Sequence, residues 1–299
     1  MNYTVLGATG FIGSHVADLA RKQGHHVYCP GRDEVLDGQS LGHVIYAIGI
    51  TADFRRLPHE TITAHVTKLQ DILRKTSFES LVYLSSTRVY ARCLGGMDLS
   101  DRPGRCLPVS ESTLIPVQSS DFSDLYNLSK LMGESIGLAH GKSVRVARLS
   151  NVVGPDFDSE NFLISVLKDC ILKGHVTLRT SLQSGKDYIS IDDVSSALLQ
   201  IGPSGKSPIY NIASGKQTTN AELVRTLTEL TGATFSVAEN SPTIRFPAID
   251  NGLAARELGL APVDFQSLLP ALVQQYHELR DNSLKINQTD RTGLLRRSA

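Results

Sequence analysis

A glycine-rich turn near the start of the chain constrains the fold more than any other feature. A short strand pattern covers Tyr3 to Leu6, and a helical pattern covers Phe11 to Lys22. Between them, Gly7 permits a tight turn, Gly10 lets the backbone approach a diphosphate, and Gly13 lets helix and strand pack closely. The helix N-terminus adds N–H donors and a positive dipole end. An ordinary glycine turn is the alternative, but the strand–turn–helix setting favours a dinucleotide site.

The rest of the N-terminal half alternates short apolar runs with longer helical patterns, which predicts an α/β fold with a parallel sheet covered by helices. The predicted strands are His26–Cys29, Val44–Gly49, Leu81–Leu84 and Val144–Leu149, and the predicted helices are Glu60–Thr76 and Leu125–Leu138. About a dozen residues separate the second strand from Val44, which is too few for a complete strand–helix crossover. One unit of the fold is therefore expected to be abbreviated over residues 33–43.

Three regions are expected along the chain. Residues 1–155 form the dinucleotide-binding domain, and residues 156–282 form mainly a smaller substrate-binding lobe that completes a cleft, with some segments returning to the first domain. Residues 283–299 are expected to be a polar, mobile tail. Within the first domain, residues 91–120 carry glycines, prolines and serines and are predicted to be a long loop of the kind that is often functional.

The composition excludes several classes of function. The 30 basic and 30 acidic residues cancel and are scattered along the chain, which argues against nucleic-acid or anionic-membrane binding. No apolar run is long enough to span a bilayer, and no secretory signal precedes the first strand. The four cysteines have no zinc-type spacing, so no metal site is expected. A cytoplasmic location is the resulting expectation.

The end of the second strand bears on the choice of cofactor. A site specific for NAD usually places an acid there to accept hydrogen bonds from the ribose. This position falls on Gly31, and Arg32 follows it with a fork of donors that suits a 2′-phosphate. NADP is therefore favoured, while Asp33 keeps NAD open as the alternative.

A tyrosine and a lysine one helical turn apart form the candidate catalytic group. Tyr126 and Lys130 share one face of the predicted helix. A nearby ammonium group lowers the pKa of a phenol from about 10, which makes the phenol useful for proton transfer with an alcohol. The serines that follow Leu84 supply a hydroxyl to hold the reacting oxygen. A tyrosine and a lysine at this spacing often occur by chance on a helix surface. Their occurrence together with the glycine turn argues against coincidence.

With these motifs, the chain closely resembles the extended short-chain dehydrogenase/reductase family, the NAD(P)-dependent nucleotide-sugar epimerases, dehydratases and reductases. The likeness runs through about residues 1–280. The matching segments are Gly7–Gly13, Ser85–Tyr90, Tyr126–Lys130, Arg148–Pro155, Lys186–Val194, Tyr210–Ala213 and Ala254–Pro262. The resemblance implies a Rossmann-type doubly wound sheet with a smaller C-terminal substrate-binding lobe. It also implies a homodimer joined by the helices at 60–76 and 122–139.

The resemblance assigns roles to individual residues. Ser86, Tyr126 and Lys130 match the catalytic group, in which Lys130 also binds the nicotinamide ribose. The remaining residues expected to contact the cofactor are Gly7, Thr9, Gly10, Phe11, Ile12, Gly13, Arg32, Ala47, Ile48 and Ser85. The residues expected to contact the substrate are Ser86, Thr87, Asn151, Lys186 and Arg245. For Lys186, an exposed lysine in a turn is an equally good interpretation.

Several positions depart from the family pattern. Sugar 4,6-dehydratases carry an Asp-Glu pair directly after the catalytic serine or threonine, whereas this chain has Thr87 and Arg88. An epimerase or a ketoreductase acting on a nucleotide-activated sugar is therefore expected. His65 stands where many members have an asparagine. Thr51 or Arg55 is a further candidate for substrate contact, with a plain loop as the alternative. A non-catalytic NADP-sensing protein is the alternative from another class.

Overall fold

The computed structural model describes residues 1–93, 96–97 and 106–295. Two parts of the predicted regions fall outside these residues. They are 94–95 and 98–105 of the predicted 91–120 loop, and 296–299 of the predicted tail.

The strands are numbered in chain order. They are β1 Asn2–Leu6, β2 His26–Tyr28, β3 His43–Tyr46, β4 Ser80–Ser86, β5 Gly96–Met97, β6 Cys106–Leu107, β7 Val144–Leu149, β8 Asn151–Val153, β9 His175–Leu178, β10 Gly185–Ser190, β11 Ile209–Ile212, β12 Gln217–Thr219 and β13 Thr234–Val237.

The α-helices are numbered in the same way. They are α1 Phe11–Lys22, α2 Pro58–Ile62, α3 Lys68–Lys75, α4 Asp124–His140, α5 Phe162–Lys173, α6 Ile191–Ser204, α7 Asn220–Thr231, α8 Gly252–Leu258 and α9 Phe265–Leu295. A π-helical turn, Thr63–Thr67, joins α2 to α3, and two 3₁₀ turns cover Ala52–Arg55 and Thr87–Tyr90.

Six strands form a parallel central sheet in the order β11-β7-β4-β3-β1-β2. The prediction of an α/β fold with a parallel sheet is confirmed. Strand β3 is buried along its whole length, as expected for a central parallel strand with helices on both faces. Its side chains alternate between two cores, with Ile45 in one and Val44 and Tyr46 in the other.

No helix lies between β2 and β3. The two strands pair on opposite sides of β1, and residues 29–42 connect them with the buried side chains of Leu36 and Leu41. The classic doubly wound order has a further strand outside the second one. In this chain β2 is instead the edge of the sheet, which agrees with the abbreviation expected over residues 33–43.

The chain divides into two compact units. The first contains residues 1–153, 185–218 and 245–263, and it carries the central sheet and a small sheet in the order β12-β10-β8. The second contains residues 154–184, 219–244 and the chain from residue 264 onward, with the parallel pair β9 and β13 and the helices α5, α7 and α9.

Helix α9 extends into the region that the sequence analysis predicted to be a polar tail. It continues to Leu295, so the backbone of residues 283–295 is helical where a polar tail was expected. The prediction gave weight to the polar composition after Ser283. However, no proline follows in that stretch and its first glycine is Gly293, so little in the local sequence ends the helix earlier.

We expect Gly13→Ala to destabilise the ligand-free protein. An added Cβ at Gly13 would overlap the carbonyl group of Gly7, whereas at Gly10 it would lie 3.5 Å from the same oxygen. Overpacking of this kind costs about 1–3 kcal/mol. Urea unfolding would show a lower free energy of unfolding for Gly13→Ala and a nearly unchanged one for the control Gly10→Ala. Equal values for the two variants would contradict this account of the turn.

Candidate active site

The glycine turn connects β1 to α1 and leaves room for a ligand. Gly7 has φ of +86°, and a Cβ there would lie 2.9 Å from the carbonyl carbon of Ala47 at the end of β3. Thr9 and Gly10 are exposed at the N-terminus of α1. The backbone N–H groups at this helix end are therefore accessible to a diphosphate, which fits a dinucleotide.

The segment after β2 contains a carboxylate that the sequence analysis did not single out. Arg32 and Asp33 are exposed, while Glu34 accepts hydrogen bonds from the Gly31 backbone N–H, at 2.9 Å, and from the Tyr28 hydroxyl. These hydrogen bonds, that from Tyr28 foremost, hold the pKa of Glu34 below its usual value. An ionised carboxylate therefore lies beside the position that Arg32 was expected to control.

Ser86 and Tyr126 come together at the end of β4. Burial raises the pKa of Tyr126, while a hydrogen bond with Ser86, the charge of Arg88 and a hydrogen bond with Thr51 all act to lower it. Ser86 is the last residue of β4 rather than part of a loop after it, and its Oγ accepts a hydrogen bond from the Arg88 backbone N–H. The strand therefore fixes the hydroxyl that contacts the phenol.

Lys130 lies one turn after Tyr126 and is buried. Its Nζ donates to the Leu84 carbonyl oxygen at 2.9 Å and lies 6.0 Å from the centre of the Tyr126 ring. Burial lowers the pKa of Lys130 to about 7, against the opposing charge of Glu134. Lys130 therefore changes its charge near neutral pH. The charge of Arg88 also acts on the Tyr126 hydroxyl.

His65 anchors the helix that carries Tyr126. Its Nε2 accepts from the Ile50 backbone N–H at 3.2 Å, so Nδ1 carries the proton and donates to Ser129 Oγ at 2.8 Å. Ser129 in turn donates to the Tyr126 carbonyl oxygen. Burial lowers the pKa of His65 to about 3, which keeps the ring neutral. The imidazole therefore joins the segment after β3 to the first turn of α4.

A buried ion pair fixes the other side of α4. Arg148 Nη2 on β7 lies 2.6 Å from Glu134 Oε2, and each side chain is 5% exposed. Ser85 donates to Glu134, and Arg148 Nη1 donates to the Tyr90 hydroxyl at 2.7 Å. The Ser85 hydroxyl, which was expected to line the cofactor site, therefore belongs to this network, whereas Ser86 contacts Tyr126.

Two arginines lie against Phe54, and one of them, Arg88, also lies against Tyr126. The Arg88 guanidinium carbon lies 4.9 Å from the centre of the Phe54 ring and 5.4 Å from that of Tyr126. The Arg55 guanidinium carbon lies 4.5 Å from the centre of the same Phe54 ring. Thr51 also contacts Tyr126, so part of the segment after β3 borders the candidate catalytic residue.

The expected substrate residues lie in different settings. Thr87 is buried directly after β4, and the exposed Asn151 donates to the Asp187 carbonyl oxygen at 2.8 Å. Lys186 lies within β10, where burial lowers its pKa, so it is not an exposed lysine in a turn. A backbone bridge from Gly185 brings Arg245 next to this strand. Arg245 therefore lies beside the residue that precedes Lys186.

Comparison with known proteins assigns the family. The NAD-dependent epimerase/dehydratase family matches residues 3–213. The chain belongs to this family. It is 30% identical to a dTDP-glucose 4,6-dehydratase of Streptomyces griseus over 275 residues, which covers 88% of this chain and 77% of the relative. The resemblance inferred from the sequence motifs is thus confirmed.

Solved structures of low sequence identity show the same fold. MoeE5 in complex with UDP-glucose and NAD has a TM-score of 0.73 at 20% identity, covering 93% of this chain and 99% of MoeE5. The same protein with UDP-glucuronic acid and NAD has a TM-score of 0.74. RMD from Pseudomonas aeruginosa complexed with NADPH has a TM-score of 0.70 at 19% identity, covering 93% and 100% of the two chains.

Two further findings concern metal binding and membrane-spanning helices. Within the described residues, no group of three or more His, Cys, Asp or Glu side chains is arranged to hold a metal ion. None of the helices in that part of the chain is long and apolar enough to cross a membrane.

The sequence analysis missed Glu134, Ser129, Phe54 and Glu34 as neighbours of the site. Glu134 had a local signal, because it follows Lys130 by four residues and so lies on the same helix face. Phe54 and Tyr126 are far apart in the sequence, so no local sequence pattern predicts their contact.

We expect the buried Lys130 to make stability depend on pH. Between about pH 7 and the unfolded value near 10.4, the unfolded chain holds a proton on this lysine that the folded chain lacks. The free energy of unfolding should therefore rise with pH in this window, by at most about 1.4 kcal/mol per pH unit. Urea unfolding at pH 7 and pH 9 measures the increment.

Lys130→Met should show a smaller increment than the wild type, because its buried side chain has no proton to lose. The control Lys22→Met, which removes an exposed lysine, should keep the wild-type increment. The same increment in wild type and Lys130→Met would contradict the assignment.

Proposed function

We propose that the protein catalyses a nicotinamide-dependent epimerisation or oxidation–reduction at a ring carbon of a nucleotide-activated sugar. The observation that carries the proposal is the hydrogen bond between Ser86 and the buried phenol of Tyr126, with Lys130 one helical turn further on. Membership of the epimerase/dehydratase family and the glycine turn support the same chemistry.

The chain's own residues account for the proton transfer. Tyr126 would take the proton of a sugar hydroxyl as general base, and Ser86 would hold the same oxygen through its hydroxyl. A positive charge near the ring stabilises the phenolate. Arg88 supplies such a charge, and protonated Lys130 would add a second one. A bound nicotinamide dinucleotide supplies the hydride acceptor or donor. The turn from Gly7 to Gly13 and the backbone at Ala47 would hold it.

An epimerase or ketoreductase fits these residues better than a 4,6-dehydratase. Elimination of water needs an acid and a base besides the tyrosine, and the positions after Ser86 carry Thr87 and Arg88 instead. Mass spectrometry of the co-purified cofactor, followed by incubation with UDP-, GDP- and dTDP-sugars, tests the proposal. An epimerase converts its substrate without added cofactor, whereas a ketoreductase consumes one NADPH for each keto-sugar.

A non-catalytic NADP-sensing protein is the second candidate. Such a protein has no use for a buried Tyr126 held by Ser86 and followed by a lysine with a lowered pKa. Binding of NADP(H) together with a failure to convert any of the sugars would favour this candidate.

We expect Tyr126→Phe to lose most of the activity while the fold and cofactor binding are kept, because only the proton-transferring hydroxyl is removed. A well-placed general acid or base contributes about 10²- to 10⁴-fold in rate. Steady-state turnover of the identified sugar measures the loss, and cofactor titration with thermal unfolding serves as the control. Turnover close to that of the wild type would exclude the assignment of Tyr126.

We also propose that NADP(H) is preferred over NAD(H). Arg32 is exposed directly after Gly31 and offers a charged, bidentate donor to a 2′-phosphate. The carboxylate of Glu34 opposes this preference, because it is ionised and bound to the Gly31 N–H. Arg32 and Glu34 thus act on the same phosphate with opposite sign.

Titration of both cofactors into ligand-free protein tests the preference. Arg32→Ala should remove most of the difference in Kd between NADP(H) and NAD(H), whereas Glu34→Gln should strengthen NADP(H) binding by removing a repelling charge. A preference for NAD(H) in the wild type that persists in Arg32→Ala would mean that acidic residues hold the ribose hydroxyls.

We further propose a homodimer joined by the helical segments that contain residues 60–76 and 122–139. Ile62 and Met132 are exposed large apolar side chains on these segments. Sedimentation at micromolar concentration should give a dimer, and a monomer alone would count against this interface.

A further inference from the structure

A cluster beside Tyr126 consists of Arg55, Arg88 and Phe54. One positive charge is enough to stabilise the phenolate in the proposed proton transfer, and this cluster carries two. Both guanidinium groups lie within 5 Å of the centre of the Phe54 ring, at 4.5 Å and 4.9 Å. Phe54 is 3% exposed, and its ring centre lies 5.5 Å from that of Tyr126. Two cations therefore converge at the edge of the candidate catalytic residue.

Neither cation forms an ion pair with a carboxylate in the part of the chain that the structure describes. Arg55 donates to Ser123 Oγ at 3.1 Å, a neutral partner. Asp121 and Asp124, whose charges act on Arg88, form their ion pairs with Arg92. Burial foremost and the charge of Arg55 lower the pKa of Arg88, while the charges of Tyr126, Asp124 and Asp121 act to raise it. The two guanidinium groups therefore repel each other.

Arg88 is partly buried, so its charge is unfavourable there without an anion, and the exposed Arg55 adds a second positive charge beside it. The sugar ring must lie against Tyr126 if the proposed function holds, because Tyr126 exchanges a proton with a ring hydroxyl. Because the Arg88 guanidinium carbon lies 5.4 Å from the centre of the Tyr126 ring, a charged substituent of the sugar ring is within its reach. A planar carboxylate matches the fork of donors on a guanidinium group.

We propose that the substrate is a nucleotide-activated uronic acid, whose ring carboxylate is bound by Arg88 and Arg55. This inference rests on the proposed function and narrows its substrate class. Arg88 holds the carboxylate next to the reacting carbon, and Arg55 adds a second positive charge from the segment after β3.

Matched pairs of sugars provide the test. Each pair carries the same nucleotide, UDP, GDP or dTDP, and differs only in a neutral hexose or the corresponding uronic acid. We expect kcat/KM for the uronic acid to exceed that for the neutral sugar by ~10- to 100-fold, the contribution of a hydrogen bond to a charged group. Equal or higher kcat/KM for the neutral sugar would overturn the inference and leave the proposed function intact. If no sugar of the panel is converted, the proposed function itself fails.

Variants locate the preference at this cluster. Arg88→Gln should lower the ratio of the two kcat/KM values by most of that factor, and Arg88→Lys, which keeps the charge without the fork, should lower it less. Arg56→Gln removes an exposed neighbouring charge that pairs with Asp53 and should leave the ratio unchanged. Should Arg88→Gln fail to fold, Arg88→Lys and Arg55→Gln carry the test.

The ratio also separates carboxylate binding from an effect on Tyr126. If Arg88 served only to stabilise the phenolate, its replacement would slow both sugars equally and shift the pH profile of kcat for both. A ratio that stays constant in Arg88→Gln would therefore overturn the inference.

Discussion

The buried ion pair between Glu134 and Arg148 is the interaction on which the candidate active site depends. It joins the middle of α4 to β7, and the bond from Ser85 to Glu134 adds β4 to the same network. Because Ser85 and Arg148 are opposite each other in the β4–β7 register, the pair fixes helix and sheet at one level. Removing one partner of such a pair costs about 3–5 kcal/mol, since the other charge stays buried.

The positions of the reacting groups follow from this network of Glu134, Arg148 and Ser85. Ser86 is the next residue of β4, and Lys130 and Tyr126 lie one and two turns before Glu134 on α4. The hydroxyl, the ammonium group and the phenol are thus held on elements that cannot slide past one another. His65 also fixes the segment after β3, which carries two neighbours of Tyr126, Thr51 and Phe54.

Much of the fold and part of the site could be predicted from the sequence, because both rest on local patterns. The glycine turn, the strand periods and the spacing of Tyr126 and Lys130 are readable within a few residues. The neighbours of these groups are not local in the sequence. Glu134 on α4 pairs with Arg148 on β7, and Phe54 contacts Tyr126, which is more than 70 positions away in the chain. The carboxylate of Glu34 was overlooked since a loop conformation, rather than sequence order, turns it toward Gly31.

The π-helical turn at Thr63–Thr67 has a consequence for how this helical segment can vary. A π turn holds one residue more than an α turn, and each residue of a helix advances it by about 100°. The extra residue lets His65 point toward Ile50 and Ser129 while Leu69 and Leu73 still enter the core beneath the sheet. Without the extra residue, His65 and the two leucines would be rotated relative to each other about the helix axis. The segment could then keep either the hydrogen bonds of His65 or the core contacts of Leu69 and Leu73, but not both.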